Sequence, residues 1–113
     1  MDENNSIIEQ AKRIIVEESR SINNLSNYLD DNFANVVKEI LATKGRLVIT
    51  GIGKSALIAN KIVATMNSTG TPALFMHAAE AIHGDLGMIQ KDDIVLCISK
   101  SGNTPEIKVL IPL

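Results

Sequence analysis

The chain has 113 residues, of which 45% are hydrophobic, 21% are charged and 3% are aromatic. This length corresponds to about one small domain, and the composition excludes both a disordered tail and a fibrous repeat. The formal charge of −2, the lack of basic clusters and the scarcity of aromatic rings argue against DNA or RNA as a partner.

The first 44 residues have the pattern of two amphipathic helices. Apolar residues at spacings of three and four predict one helix starting near Ser6 and a second from Leu29 to Leu41, with a stop at Lys44–Gly45. Acids outnumber bases in the first 31 residues, which disfavours a DNA-contacting role. We expect residues 1–44 to pack on the domain or to form an oligomer interface.

From Leu47 onward, short apolar runs alternate with helical patterns. The runs 47–50, 73–76 and 94–98 predict three strands, and helices are expected over 54–66, around 78–84 and from Pro105 onward. This alternation predicts a three-layer α/β/α fold with a parallel, doubly wound sheet, whose wholly apolar strands are buried on both faces. Such a sheet usually has about five strands, so we expect the chain to be a fragment of a larger domain.

The single cysteine and the N-terminus bear on the cellular setting. Cys97 lies within the apolar run Ile94–Ile98, which predicts a buried strand thiol and excludes both a disulfide framework and a Cys-rich metal site. Met1–Asn5 is acidic and polar, unlike a secretory signal, and no apolar run is long enough to span a membrane. A cytoplasmic protein with no membrane partner is expected.

The first candidate site is the glycine turn Gly51–Ala56 after the first strand. A Walker-type phosphate loop would need glycine where Val48 stands, so that interpretation fails. The turn fits the dinucleotide pattern G-x-G-x-x-A, but the acid expected after the second strand is missing, and Glu80 is the nearest. The alternatives left are a general anion site, with Lys54 and Ser55 at a helix N-terminus, and a simple tight turn.

The second candidate, Ser99–Thr104, places three hydroxyls and an amide around one glycine. Thr104 is the expected N-cap of a helix that begins with Pro105. The additional hydroxyls suit the oxygens of a phosphate monoester. If the first and third strands are neighbours, both glycine-containing loops emerge at the same sheet edge, which favours one phosphate site over two unrelated turns.

The third candidate segment, His77–Met88, contains both histidines of the chain. Glu80 and His83 are one helical turn apart, but two ligands do not make a metal site, so we favour acid/base chemistry or contacts to substrate hydroxyls. The alternative is that His77 and Glu80 are local caps and Asp85 is a turn residue. Glu106, in the first turn of the last helix, complements the helix dipole and closely follows the proposed phosphate loop.

Taken together, the strings Gly51–Ser55, Ser68–Pro72, His83–Met88 and Ser99–Thr104 resemble the SIS (sugar isomerase) domain family, and within it the arabinose-5-phosphate isomerases. The likeness covers residues 45–113, as the N-terminal part of such a domain. It implies aldose–ketose isomerisation of D-ribulose 5-phosphate and D-arabinose 5-phosphate, which supplies the Kdo sugar of lipopolysaccharide. It implies no cofactor and no metal, and a tetrameric assembly with shared active sites.

The resemblance also assigns site residues. It implies a catalytic centre with Lys54, His83 and Glu106, and a phosphate site formed by Gly53, Ser55, Ser99, Ser101, Gly102, Asn103 and Thr104. We assign Glu106 as the base, His83 as the proton shuttle and Lys54 as the stabiliser of an enediolate oxygen. The family commonly reads G-x-G-K-S-G-H-I-G, where this chain has Ala56-Leu57 in place of Gly-His. A non-catalytic sugar-phosphate sensor and another phosphosugar isomerase are the alternatives.

Overall fold

The computed structural model describes residues 2–112 and divides between Lys38 and Glu39 into two compact units. The first unit is helical. Helix α1 spans Glu3–Asn24, a 3-10 turn follows at Leu25–Tyr28, and α2 spans Asp31–Ala42, with its last residues in the second unit. Within the described residues, no helix has the length and apolar character needed to cross a membrane.

Helix α1 begins earlier than the apolar spacing predicts, and the reason is a cap. The carboxylate of Asp2 accepts a hydrogen bond from the backbone N–H of Asn5 at 2.7 Å, so the helix starts at Glu3 rather than near Ser6. Asp30 accepts in the same way from Phe33 at 3.2 Å, and α2 begins at Asp31 instead of Leu29. Both corrections come from acidic caps outside the apolar pattern.

The second unit contains a three-stranded parallel sheet, as the alternating pattern predicts. Strands β1 (Leu47–Gly51), β2 (Ala73–His77) and β3 (Ile94–Cys97) are ordered β2-β1-β3. Leu47 pairs with Ala73 on one side and with Ile94 on the other, so the three strands begin at one edge and end at the opposite edge. Helix α3 (Lys54–Ser68) follows β1, α4 (Ala78–Ile82) follows β2 and α5 (Pro105–Leu110) follows β3.

Helices cover both faces of this sheet, which confirms the α/β architecture. On one face, Leu47 and Ile49 pack with Ala59 of α3, and Ile62, Val63 and Met66 add to that layer. Alternate residues of the strands point the other way. On that second face, the buried cluster consists of Val48, Met76, Ala81 and Leu110. Four partly buried residues pack against it, which are Leu74, Leu86, Met88 and Ile89.

Burial differs between the strands, and this corrects part of the sequence-based prediction. The residues of β1 are buried on both faces, because β1 is central. Strand β3 is an outer strand of the described sheet, and its residues Val95 and Leu96 are 39% and 36% exposed. The prediction of burial on both faces is therefore wrong for β3. Cys97 is correspondingly half-buried rather than buried, and this partial burial raises the pKa of its thiol.

The starting ends of β1 and β3 are joined by polar contacts that the sequence pattern does not predict. Arg46 precedes β1 and Asp93 precedes β3, and their side chains form an ion pair with Nη2 and Oδ2 at 2.8 Å. Beside it, the hydroxyl of Thr43 donates to the carbonyl of Asp92 at 2.6 Å. A Cβ at Gly45 would overlap that same carbonyl, so the two segments are in close backbone contact there.

Candidate functional site

The three candidate segments follow the C-terminal (finishing) ends of three neighbouring parallel strands. Gly51 pairs with His77, and Thr50 pairs with Cys97. A further backbone bond from the Ile98 N–H to the Thr50 carbonyl, at 2.9 Å, extends the β1–β3 pairing to Ile98, directly before the second loop. The first and third strands are therefore neighbours, and the two glycine-containing loops leave the sheet at the same edge.

The first loop, Ile52–Ser55, joins β1 to α3 and depends on two glycines. A Cβ at Gly51 would lie 3.0 Å from the carbonyl carbon of Ser55 and 3.1 Å from its oxygen, so the strand end meets the first turn of α3 closely. Gly53 has a φ of +60°, in the region that favours glycine, and its carbonyl accepts from the Ala56 N–H at 3.1 Å. Next in the chain, Lys54 is exposed and Ser55 is half-buried. The turn thus begins a 15-residue helix with a cation and a hydroxyl in its first turn.

The second loop, Ile98–Thr104, is held by hydrogen bonds from its own hydroxyls. The Oγ of Ser99 accepts from the Gly102 N–H at 3.0 Å and lies 3.0 Å from the Oγ1 of Thr104. The Oγ of Ser101 accepts from the Asn103 N–H at 3.0 Å. Gly102, with a φ of +71°, makes the tight bend possible. The loop is thus a folded unit in which the hydroxyl oxygens of Ser99 and Ser101 each accept a backbone hydrogen bond.

Thr104 stands at the predicted N-cap position of α5 but does not cap with its side chain. No capping bond is made by its hydroxyl, which instead faces Ser99. The helix starts at Pro105, as predicted, and the Thr104 carbonyl accepts from the Lys108 N–H at 3.0 Å. Thr104 is therefore the N-cap residue, as predicted, while its hydroxyl belongs to the loop. Glu106, one residue into α5, is half-buried.

The two histidines of the third segment lie at opposite ends of α4 and have different surroundings. The Nδ1 of His77 accepts from the Ala79 N–H at 3.2 Å as the cap of α4, and its ring lies edge-on to Phe75, with 6.2 Å between centroids. His77 is thus the local cap that the sequence left as an alternative. His83 follows α4, is exposed, and precedes Gly84, whose φ is +132°. Glu80 is exposed in the first turn of α4, and Asp85 begins a 3-10 turn that ends at Met88.

Two features near the site escaped sequence reasoning. Thr50 is fully buried at the end of β1, and within residues 2–112 its hydroxyl has no hydrogen-bond partner. The sequence signal for this buried hydroxyl was a single polar residue near the end of an otherwise apolar strand.

The second feature is a cavity of about 510 Å³ on the α4–α5 face. It is lined by apolar groups and a thiol, which are Met76, Leu86, Ile89, Val95, Cys97, Leu110 and Ile111.

The described residues contain no group of three His, Cys, Asp or Glu side chains with metal-site geometry. The segments that follow the three strands carry a cation, an imidazole, a carboxylate and a hydroxyl loop. Lys54 follows β1 and the hydroxyl loop follows β3, whereas His83 lies at the end of α4 and Glu106 lies in the first turn of α5. Such a set can hold an anion and move a proton.

A family model described as the SIS domain matches residues 40–113. The chain therefore belongs to the SIS-domain family, as its motifs predicted. Two curated relatives are similar over most of it. The arabinose 5-phosphate isomerase KdsD of Pseudomonas aeruginosa is 48% identical over 113 residues, which is 100% of this chain and 35% of the relative. A probable arabinose 5-phosphate isomerase of Haemophilus influenzae is 56% identical over 84% of this chain and 28% of the relative.

A solved structure of an E. coli CFT073 protein in complex with arabinose 5-phosphate has a TM-score of 0.89 and 41% identity to this chain. The match covers 99% of this chain and 59% of that one. The chain thus spans about a third of the length of the curated relatives it matches. The fold agrees over nearly all of the residues compared.

Proposed function

We propose that the full-length protein is an arabinose-5-phosphate isomerase that interconverts D-ribulose 5-phosphate and D-arabinose 5-phosphate. The observation that carries this proposal is the juxtaposition of the ends of three neighbouring strands, which lead into the Lys54 turn, the α4–His83 segment and the Ser99–Thr104 loop, in a chain that belongs to the SIS-domain family. The relatives named as arabinose 5-phosphate isomerases and the neighbour solved with arabinose 5-phosphate support the choice of substrate.

The phosphate group is proposed to bind between the two glycine-containing loops. The oxygens of Ser99 and Ser101 accept from loop N–H groups, so a hydroxyl proton of this loop is free to turn toward an anion. The other ligands are proposed to be the hydroxyls of Ser55 and Thr104, the backbone N–H of Gly53 and the side-chain amide of Asn103. Gly102 contributes by shaping the loop, because its N–H and that of Asn103 already donate to Ser99 and Ser101. Many small donors suit a phosphate, whose oxygens each accept several hydrogen bonds.

The isomerisation needs a base, a proton carrier and a stabiliser of negative charge. Starting from the ketose, a carboxylate at Glu106 removes a proton from C1, and the electron pair of that C–H bond moves toward the C2 carbonyl to form an enediolate. Lys54 stabilises the oxygen that becomes negative, and His83 moves a proton between the two oxygens. Return of the proton to C2 completes the aldose. The step is redox-neutral overall, because the same carbon skeleton loses and regains one proton.

The test is isomerase activity of the full-length protein on ribulose 5-phosphate, measured as formation of arabinose 5-phosphate. Glu106→Gln and Lys54→Ala should each lower kcat by a factor on the order of 10²–10⁴, because each removes a group acting on the reacting atoms. Lys61→Ala, a change of an exposed lysine on the same helix, is the matched control and should leave kcat unchanged. An active Lys54→Ala, Glu106→Gln double variant contradicts the assignment.

The outcome also separates catalysis from sensing. Stabilisation by a sugar phosphate, without exchange of the C1 proton with solvent, indicates a non-catalytic SIS module. Turnover of a hexose or heptose phosphate in preference to a pentose phosphate indicates another phosphosugar isomerase. Both measurements use the same purified protein and a panel of phosphosugars.

We extend the proposal to the cellular role that the family resemblance implies. The product would supply the Kdo sugar of lipopolysaccharide, the protein would act in the cytoplasm, and it would assemble as a homotetramer with no nucleic-acid or membrane partner. The amphipathic face of α1 supports self-association, because its isoleucines are exposed in this unit, with Ile15 at 65% and Ile22 at 68%. Light scattering of the full-length protein tests the tetramer.

A further inference from the structure

We propose that the Arg46–Asp93 ion pair positions His83, although both residues lie at the opposite edge of the sheet from the catalytic loops. The inference rests on the proposed function, since it gives the pair a role in the isomerisation. Neither residue is placed to touch a substrate. Both act through the segment between His83 and Gln90, and they are positioning residues.

Asp93 makes a dense set of contacts. Its side chain is fully buried, while that of Arg46 is 34% exposed. One carboxylate oxygen accepts from the backbone N–H of Arg46 at 2.8 Å and from Nε at 3.4 Å. The other accepts from Arg46 Nη2 and from the Gln90 N–H, each at 2.8 Å. These hydrogen bonds, led by the guanidinium, hold the pKa of Asp93 well below its usual range, so the carboxylate stays charged.

The ion pair also holds the segment after His83 at two points. Arg46 Nη2 donates to the carbonyl of Met88 at 2.8 Å, and Asp93 accepts from the N–H of Gln90. The pair itself is fixed to the sheet, because the Ile94 N–H donates to the Arg46 carbonyl at 2.9 Å. The end of this segment is therefore tied to the starts of two neighbouring strands.

Short-range backbone bonds connect Met88 back to His83. Gly87 N–H donates to the Gly84 carbonyl at 3.1 Å, and Gly84 N–H donates to the carbonyl of Ala81, a buried residue of α4, at 3.3 Å. His83 N–H donates to the Glu80 carbonyl at 3.0 Å. The histidine is thus held by α4 on one side and by the anchored 3-10 turn on the other.

The glycines of this segment are the reason an anchor is needed. Gly84 and Gly87 lie between His83 and Met88, and glycine has more backbone freedom than any other residue. Without a fixed far end, the backbone at His83 would sample more positions. A displacement of about 1 Å in a catalytic group can lower a rate roughly 100-fold. The phosphate loop follows another strand, so substrate binding would be retained.

The experiment compares Arg46→Lys and Arg46→Met with wild type in the full-length protein, at a temperature where all variants are folded. Lysine keeps the charge but lacks the guanidinium fork that reaches both Asp93 and the Met88 carbonyl. The expected result is a kcat lowered on the order of 10- to 100-fold with KM changed less than about twofold. Hydrogen exchange of the backbone amides in residues 83–90 should be faster in both variants.

Two controls separate positioning from general stability. Asn67→Ala removes two hydrogen bonds to the backbone of Ala73, at 2.8 and 3.1 Å, and so loosens the same sheet edge without touching the His83 segment. Glu9→Gln breaks an exposed ion pair with Lys12 on α1, 3.6 Å long. Neither control should change kcat per folded molecule or exchange in residues 83–90.

Unchanged kcat in both Arg46 variants overturns the inference, as does unchanged exchange in residues 83–90. A fall in kcat that Asn67→Ala reproduces at equal loss of stability also overturns it. If wild type isomerises no sugar phosphate, the proposed function fails, and the exchange comparison alone then supports or overturns the anchoring of the His83 segment.

Discussion

Replacing Ser99 with alanine removes the hydroxyl around which the second loop is built. Its Oγ accepts from the Gly102 N–H at 3.0 Å and contacts the Thr104 hydroxyl at 3.0 Å. A hydrogen bond within a folded protein contributes about 0.5–1.5 kcal/mol, so the two contacts together are worth about 1–3 kcal/mol of loop order. A phosphate ligand would then have to order the loop as it binds. Since 1.4 kcal/mol corresponds to about tenfold, its affinity should fall roughly 5- to 150-fold.

The assay is calorimetric titration of the full-length protein with arabinose 5-phosphate. Ser26→Ala is the matched control, because that hydroxyl also makes a loop contact, to the Asn23 carbonyl at 2.8 Å, but lies in the helical unit. It should leave the affinity unchanged. If Ser99→Ala binds within about twofold of wild type, the loop does not depend on this hydroxyl and the reasoning is refuted. Equal losses in both variants would refute it as well.

Three further outcomes follow from the packing. Gly51→Ala should lower the free energy of unfolding by about 1–3 kcal/mol in urea titration, because the new Cβ would lie 3.0 Å from Ser55 backbone; an unchanged midpoint would show that α3 shifts freely. Thr50→Val should be neutral or stabilising in thermal unfolding, because it removes a buried hydroxyl that has no partner in the described residues; a large loss of stability would reveal a bonded hydroxyl. The pKa of Asp93 is lower in the folded protein than in the unfolded chain. As the pH falls below about 4, the Asp93 carboxylate of the unfolded chain is protonated first, and the stabilisation that this carboxylate gives the folded state is progressively lost. Acid titration of Asp93→Asn should lack that part of the loss, and an identical profile in the variant would contradict it.

The strand and helix order was predictable because apolar periodicity reports burial directly. β1 is apolar up to Thr50 and is buried along its whole length. The errors arise where a neighbour decides the outcome. Cys97 and Ile49 both lie within apolar runs of the sequence, but Cys97 belongs to an outer strand of the described sheet and is half-buried. Position within the sheet is a tertiary property that a strand's own sequence does not contain.

The candidate site was predictable to the level of loops rather than of individual bonds. Glycines and hydroxyls at the ends of strands located the three segments, and the strand order confirmed that they leave the sheet together. Thr104 was correctly predicted as the N-cap residue of α5, but nothing in the sequence indicated that its hydroxyl contacts Ser99. Arg46 and Asp93 are separated by 47 residues, and only the in-register start of two parallel strands brings them together. A charged residue directly before each strand was the available signal.

The loops at the finishing edge are closed by bonds that span very few residues. The bonds from Ala56 to Gly53, from Ala79 to His77 and from Gly102 to Ser99 each span two or three residues after one strand. Each connection is therefore held by bonds of its own, and we expect a substitution in one to leave the backbones of the other two unchanged. The segment 99–104 should then tolerate exchange with the matching segment of a relative while the sheet beneath stays the same.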